Sequence, residues 1–105
     1  MMLPSTGKLV RDRIPQVIED SGGVAQWSIL ERALWRLALN EKLKEEVGEY
    51  LGAESEESQL EELADIFEVV RGLVAERGLS MGNLISVADA KRIERGGFEK
   101  GIWLT

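Results

Sequence analysis

The chain has 105 residues and a formal net charge of −6, from 19 Asp+Glu against 13 Lys+Arg, with neither histidine nor cysteine. That length suits a single domain, residues 1–105, with one modest core. The acid excess argues against a general binder of nucleic-acid polymers, and the missing residue types exclude disulfides, thiolate or imidazole metal ligands, cysteine nucleophiles and Ser-His triads.

The opening segment Met1-Met2-Leu3-Pro4-Ser5-Thr6-Gly7 has neither the basic nor the apolar region of a secretory signal. No stretch of the chain approaches the ~20 apolar residues that span a membrane, so the sequence reads as a soluble cytoplasmic protein. Lys8-Leu9-Val10-Arg11-Asp12-Arg13 sets three cations around an apolar pair. A short helix follows, with Pro15 in its first turn and Ser21-Gly22-Gly23 as its stop. Val24-Ala25-Gln26-Trp27 reads as a short strand or an extended linker.

Ser28 with Glu31 matches a capping box, which predicts a long helix from there to about Leu51. Gly52 to Ser58 reads as a turn. Ser58 with Glu61 is a second capping box, for a helix predicted to reach Gly78. Ser80 caps a last helix through Arg95, stopped by Gly96-Gly97. The apolar tail from Phe98 to Thr105 is expected to pack as a short strand. Four helices with short connections predict an all-α, four-helix antiparallel bundle, flanked by a short extended linker and a C-terminal tail. Trp27, Trp35 and Trp103 all need burial, which points to self-association.

Charge is unevenly spread. Residues 41–68 hold eleven acids and two bases, a local balance of −9, while both flanks are slightly basic. Most of these acids, including Glu45, Glu54, Glu56, Glu57 and Glu61, are read as a solvated face. Four are not. At about 100° per residue, Leu63, Ile66, Val69, Val70, Leu73 and Val74 form one apolar stripe. Glu62 falls inside that stripe and Asp65 lies at its edge. On the preceding helix Leu39, Leu43, Val47 and Tyr50 face inward, Glu46 projects between Leu39 and Trp35, and Glu49 sits at the edge.

A hairpin of these two helices gathers Glu46, Glu49, Glu62 and Asp65 into one carboxylate cluster. Unpaired buried carboxylates are too costly to persist, so cations must neutralise them. Lys42, one turn before Glu46, supplies part of that charge. An all-oxygen donor set selects hard ions, Mg²⁺ or Mn²⁺ ahead of Zn²⁺. A chance ExxE in so acidic a segment is ordinary; two such pairs cutting into apolar stripes on consecutive helices favour a metal site. Near the C-terminus, Lys91 and Arg95 share a face before Gly96-Gly97, which suits either a plain helix stop or a phosphate clamp.

Lys42-Leu43-Lys44-Glu45-Glu46-Val47-Gly48-Glu49-Tyr50, followed by Glu61-Glu62-Leu63-Ala64-Asp65, resembles the signature of the MazG-like all-α nucleotide pyrophosphohydrolases. That superfamily includes dimeric dUTPases and phosphoribosyl-ATP pyrophosphohydrolase. Lys8 to Pro15 and Lys91-x-x-x-Arg95-Gly96-Gly97-Phe98-x-x-Gly101-Ile102 resemble a compact single-domain branch, so the likeness covers nearly the whole chain. It implies Mg²⁺-dependent hydrolysis of a nucleoside triphosphate to monophosphate and pyrophosphate, in a homodimer or tetramer. Glu46, Glu49, Glu62 and Asp65 would be metal ligands and catalytic acids. Lys91 and Arg95, joined by Lys42, Lys8 and Arg11, would hold phosphates. Gly48 departs from good helix chemistry, costing about 1 kcal/mol relative to Ala, and a close helix contact is expected there. Two alternatives stay open, a phosphoribosyl-nucleotide substrate and a non-catalytic helical interaction module on the same scaffold.

Overall fold

A computed structural model describes residues 1–105. Four helices form in chain order: α1 (Ile14–Asp20), α2 (Arg32–Gly52), α3 (Glu56–Glu76) and α4 (Met81–Arg95). No strand is present, so the all-α expectation holds. Val24–Trp27 forms no strand, and residues 98–105 form none either. With no other strand in the chain, neither segment has an edge to pair with.

Local chemistry sets the helix ends, at places shifted from those the sequence suggested. Pro15 opens α1 in its first turn, where its missing N–H costs nothing. The cap predicted at Ser28 does not form: α2 starts at Arg32, after an extended Glu31 that makes no side-chain cap. Ile29 is 86% exposed, so no packing offsets the cost of starting the helix earlier, through a β-branched residue. Ser55, not Ser58, caps α3, its side chain accepting from the Ser58 N–H. The earlier start places Glu56 and Glu57 in the first turn, where the helix dipole favours acids. Ser80 caps α4 as expected, but Asn83 closes the capping box. Gly96 ends α4 with φ +82°, a left-handed backbone that glycine adopts without steric cost.

The packing core is one antiparallel hairpin. The short link Ala53–Ser55 turns α2 back onto α3, and three pairings mark the register. Arg32 and Arg36 meet Glu76, Leu39 meets Gly72, and Glu46 meets Glu62 and Asp65. Ala38, Leu39, Val69 and Val74 are the buried apolar residues. Gly72 lets the helices approach closely: a Cβ there would stand 2.8 Å from a Leu39 methyl. Gly48 carries no such contact. It is exposed, with nothing within 4 Å of where its Cβ would be, which corrects the expectation of a close helix neighbour.

α4 meets α3 only near their junction and α1 packs on no other helix, so one chain does not close a bundle over the hairpin. The radius of gyration, 17.2 Å, exceeds the ~13 Å usual for 105 residues. Trp27, Phe98, Ile102, Trp103 and Leu104 are all largely exposed.

Candidate metal centre

In the half of the hairpin nearer the link, α2 contributes Glu46 and α3 contributes Glu62 and Asp65. One carboxylate oxygen from each lies within 4.8 Å of the others. The three-residue step from Glu62 to Asp65 keeps both on the face turned toward α2. Glu46 is 9% exposed, the others half-buried.

Two of the three acids have cationic neighbours. Lys42 Nζ stands 3.6 Å from Glu46 Oε1, as the one-turn spacing predicted. Arg11 Nη2 donates to Asp65 Oδ1 at 2.7 Å. Glu62 has none: its Oε2 is buried without a hydrogen-bond partner. Burial, first, then the adjoining Glu46 carboxyl and the charges of Glu46, Asp65 and Glu49 push the Glu62 carboxyl above its ordinary pKa. An acid left in that state is a natural ligand for a small cation. An all-oxygen, three-carboxylate set suits Mg²⁺ or Mn²⁺, so the residues present fit such an ion.

Glu49 lies outside the cluster of three, although its charge still acts on Glu62. The acids separate two clefts. Glu49 and Glu62 face one of about 490 Å³, lined also by Lys44, Gly48 and Gly52. Glu46 and Asp65 face a larger one of about 820 Å³, walled by the segment from Lys8 to Ile14 and by Trp35. Lys8, Arg11 and Lys42 therefore border the same space as two of the acids.

Lys91 and Arg95 do not join them. Both are exposed on α4 and line neither cleft. Gly96-Gly97 serves a different contact there. Arg92 Nη2 donates to Glu99 Oε1 at 2.6 Å, and a Cβ at Gly97 would run into both side chains. That pairing holds the Glu99 carboxyl below its ordinary range. The acids assigned to water, Glu45, Glu54, Glu56, Glu57 and Glu61, are exposed as expected.

Sequence reasoning passed over Glu76, although the rule that selected Glu62 applies to it. Glu62, Val69 and Glu76 are spaced by seven and share a face of α3. Glu76 is 4% exposed, accepting from Arg36 Nε at 2.6 Å and from Arg32 Nε at 3.2 Å. The Arg36 bond, ahead of the Arg32 bond, holds its carboxyl below the ordinary range in spite of burial. These two acids of α3 thus differ in kind: Glu76 is saturated by guanidinium groups and Glu62 is open. Comparisons of the chain with protein-family models, curated proteins and solved structures returned no match.

Proposed function

We propose that this protein is a divalent-ion-dependent nucleotide pyrophosphohydrolase, cleaving a nucleoside triphosphate to the monophosphate and pyrophosphate. The observation that carries the reading is the three-carboxylate cluster, in which a Glu62 oxygen is unpartnered while Glu46 and Asp65 line a cation-bordered cleft. The resemblance of the paired acidic motifs to the MazG-like enzymes supplies the reaction class.

Glu46, Glu62 and Asp65 would hold Mg²⁺ or Mn²⁺. Such an ion, when bound, offsets charge developing on the phosphoanhydride oxygens. Lys8, Arg11 and Lys42 provide the cationic wall for the phosphate chain. One carboxylate of the cluster would take the proton of the attacking water. Attack at phosphorus forms one P–O bond, the bond to the departing pyrophosphate breaks, and a proton of the water ends on that carboxylate. Lys91 and Arg95 can reach substrate only if another element brings them to the clefts. No helix of the chain is long and apolar enough to cross a membrane, and a cytoplasmic site of action accords with a nucleotide substrate.

Surface area supports the homo-oligomer. The chain exposes 8993 Å², against about 5,900 Å² for a folded monomer of 11.7 kDa. An excess of about 3,000 Å² is on the scale of an obligate interface. Leu51 and Leu60, beside the link that joins α2 to α3, and Leu63 and Phe67 further along α3 belong to that excess. Sedimentation at micromolar concentration should report a dimer or tetramer; a monomer with native helix content refutes the assembly. The same uncovered apolar surface favours a second reading, a non-catalytic interaction module.

The deciding experiment incubates the protein with Mg²⁺ and a panel of ordinary, modified and phosphoribosyl nucleotides, and measures pyrophosphate. Release that EDTA and Glu62→Gln abolish supports the enzyme. Activity surviving either treatment overturns the metal mechanism. No release across the panel, with no Mg²⁺ or Mn²⁺ binding by calorimetry, favours the interaction module.

A further inference from the structure

Arg11 is the one residue of the N-terminal segment that reaches into the acidic cluster, and it does so by occupying a candidate ligand. Its Nη2 sits 2.7 Å from Asp65 Oδ1, while Asp65 also lies within 4.8 Å of the Glu46 and Glu62 oxygens. Both members of the pair are substantially exposed, 58% and 40% at their side chains. Such a pair is held weakly, since water screens it and two side chains must be ordered. Arg11 is nonetheless permanently charged and cannot escape a neighbouring cation by losing its proton.

We propose that Arg11 is a displaceable counter-ion for Asp65, released from the cluster when a divalent ion enters. The inference rests on the metal-dependent reading above and adds a coupling between ion occupancy and the N-terminal segment. An Mg²⁺ ion bound to an Asp65 oxygen at about 2.1 Å brings a double positive charge close to the guanidinium. The attraction that held Arg11 is then outweighed by repulsion. Lys42 faces the same ion but is tied to α2 one turn from Glu46 and also contacts Glu45 at 3.4 Å, so it has little room to leave. Arg11 belongs to a segment outside any helix, and its carbonyl is engaged only by the Ile14 N–H at the start of α1. It can swing away without breaking helix packing. Once free it still borders the larger cleft with Lys8 and Lys42. By linkage, whatever strengthens the Arg11–Asp65 pair weakens ion binding, and the reverse.

The test is Mg²⁺ titration calorimetry on the wild type, Arg11→Gln and Arg71→Gln. Arg71 borders the same cleft but pairs with Glu68 at 3.7 Å and stacks 4.7 Å over Phe67, so its removal controls for net charge. Arg11→Gln should bind Mg²⁺ with a Kd about two- to fivefold lower than Arg71→Gln. In a parallel nitrogen-15 NMR titration of the wild type, the Arg11 Nε–Hε signal should move to the position of a solvent-exposed arginine. Its midpoint should match that of ion binding. Equal affinities in the two variants, a weaker affinity in Arg11→Gln, or an unmoved Arg11 signal overturns the inference while leaving the metal site intact. A wild type that binds no Mg²⁺ overturns both.

Discussion

Replacing Glu62 with glutamine should move stability in opposite directions with and without ion. In the ion-free protein Glu62 carries a buried, unpartnered oxygen beside Glu46 and Asp65, and its carboxyl is held above its ordinary pKa. A raised carboxylate contributes most to folding when protonated. Ion-free stability from this group is therefore full below the ordinary value of 4.5 and lost as pH rises through the folded value. At pH 7 Glu62→Gln removes that penalty, so Tm without ion should rise. With ion the order reverses. Free Mg²⁺ at 100 times Kd stabilises the native state by about 2.7 kcal/mol. A chain of 105 residues unfolds with an entropy of about 0.22 kcal/mol/K, so Tm should climb by about 12 °C. Losing a ligand weakens binding by about 100-fold or more, which leaves about 0.4 kcal/mol and a gain near ~2 °C at the same Mg²⁺. Differential scanning calorimetry with EDTA and with Mg²⁺ measures both. A Glu62→Gln variant that is less stable than wild type in EDTA, or that still gains about 12 °C with Mg²⁺, would refute the assignment of Glu62 as an open ligand.

Two further expectations concern the frame that holds the site. Leu39→Ala, at a residue 5% exposed and seated on Gly72, should cost about 2–5 kcal/mol in denaturant unfolding, because the close helix approach leaves a cavity; a loss under about 1 kcal/mol would mean the hairpin does not pack there. The Glu76 carboxyl is held below 4.5 by Arg36 and Arg32, so its contribution is present above that pH and lost as pH falls below it. Glu76→Gln should lower Tm at pH 7 and shrink the fall of Tm as pH drops below 4.5; an unchanged acid slope would show that the pair does not control acid unfolding.

Particular residues show how far the sequence could be read. The all-α class, the four helices and the end of α4 at Gly96 followed from local rules, because hydrophobic period, capping residues and glycine act within a few positions. Starts were less secure. Ser28 and Ser58 both satisfied the capping-box pattern, yet α3 begins at Glu56, capped by Ser55, and α2 begins at Arg32. Several residues in each region can cap, and the choice turns on packing further along the helix. Gly48 and Gly72 look alike as helix glycines, but only Gly72 faces a neighbour.

The acids make the division clearest. Sequence alone determined that Glu46 and Glu62 lie on apolar faces of consecutive helices, since a 3.6-residue period fixes which side chains share a side. It placed Glu76 on the same face of α3 as Glu62 with equal force. What each acid meets there was beyond it. Across the hairpin Glu76 finds Arg32 and Arg36 and Glu62 finds only other carboxylates, while Asp65 finds Arg11 of the N-terminal segment, 54 positions away. Periodicity sets the direction in which a side chain points. The antiparallel register of α2 on α3, set by Leu39 against Gly72 and the three-residue link, decides which charge stands opposite. That register makes Glu76 a closed ion pair and leaves Glu62 open.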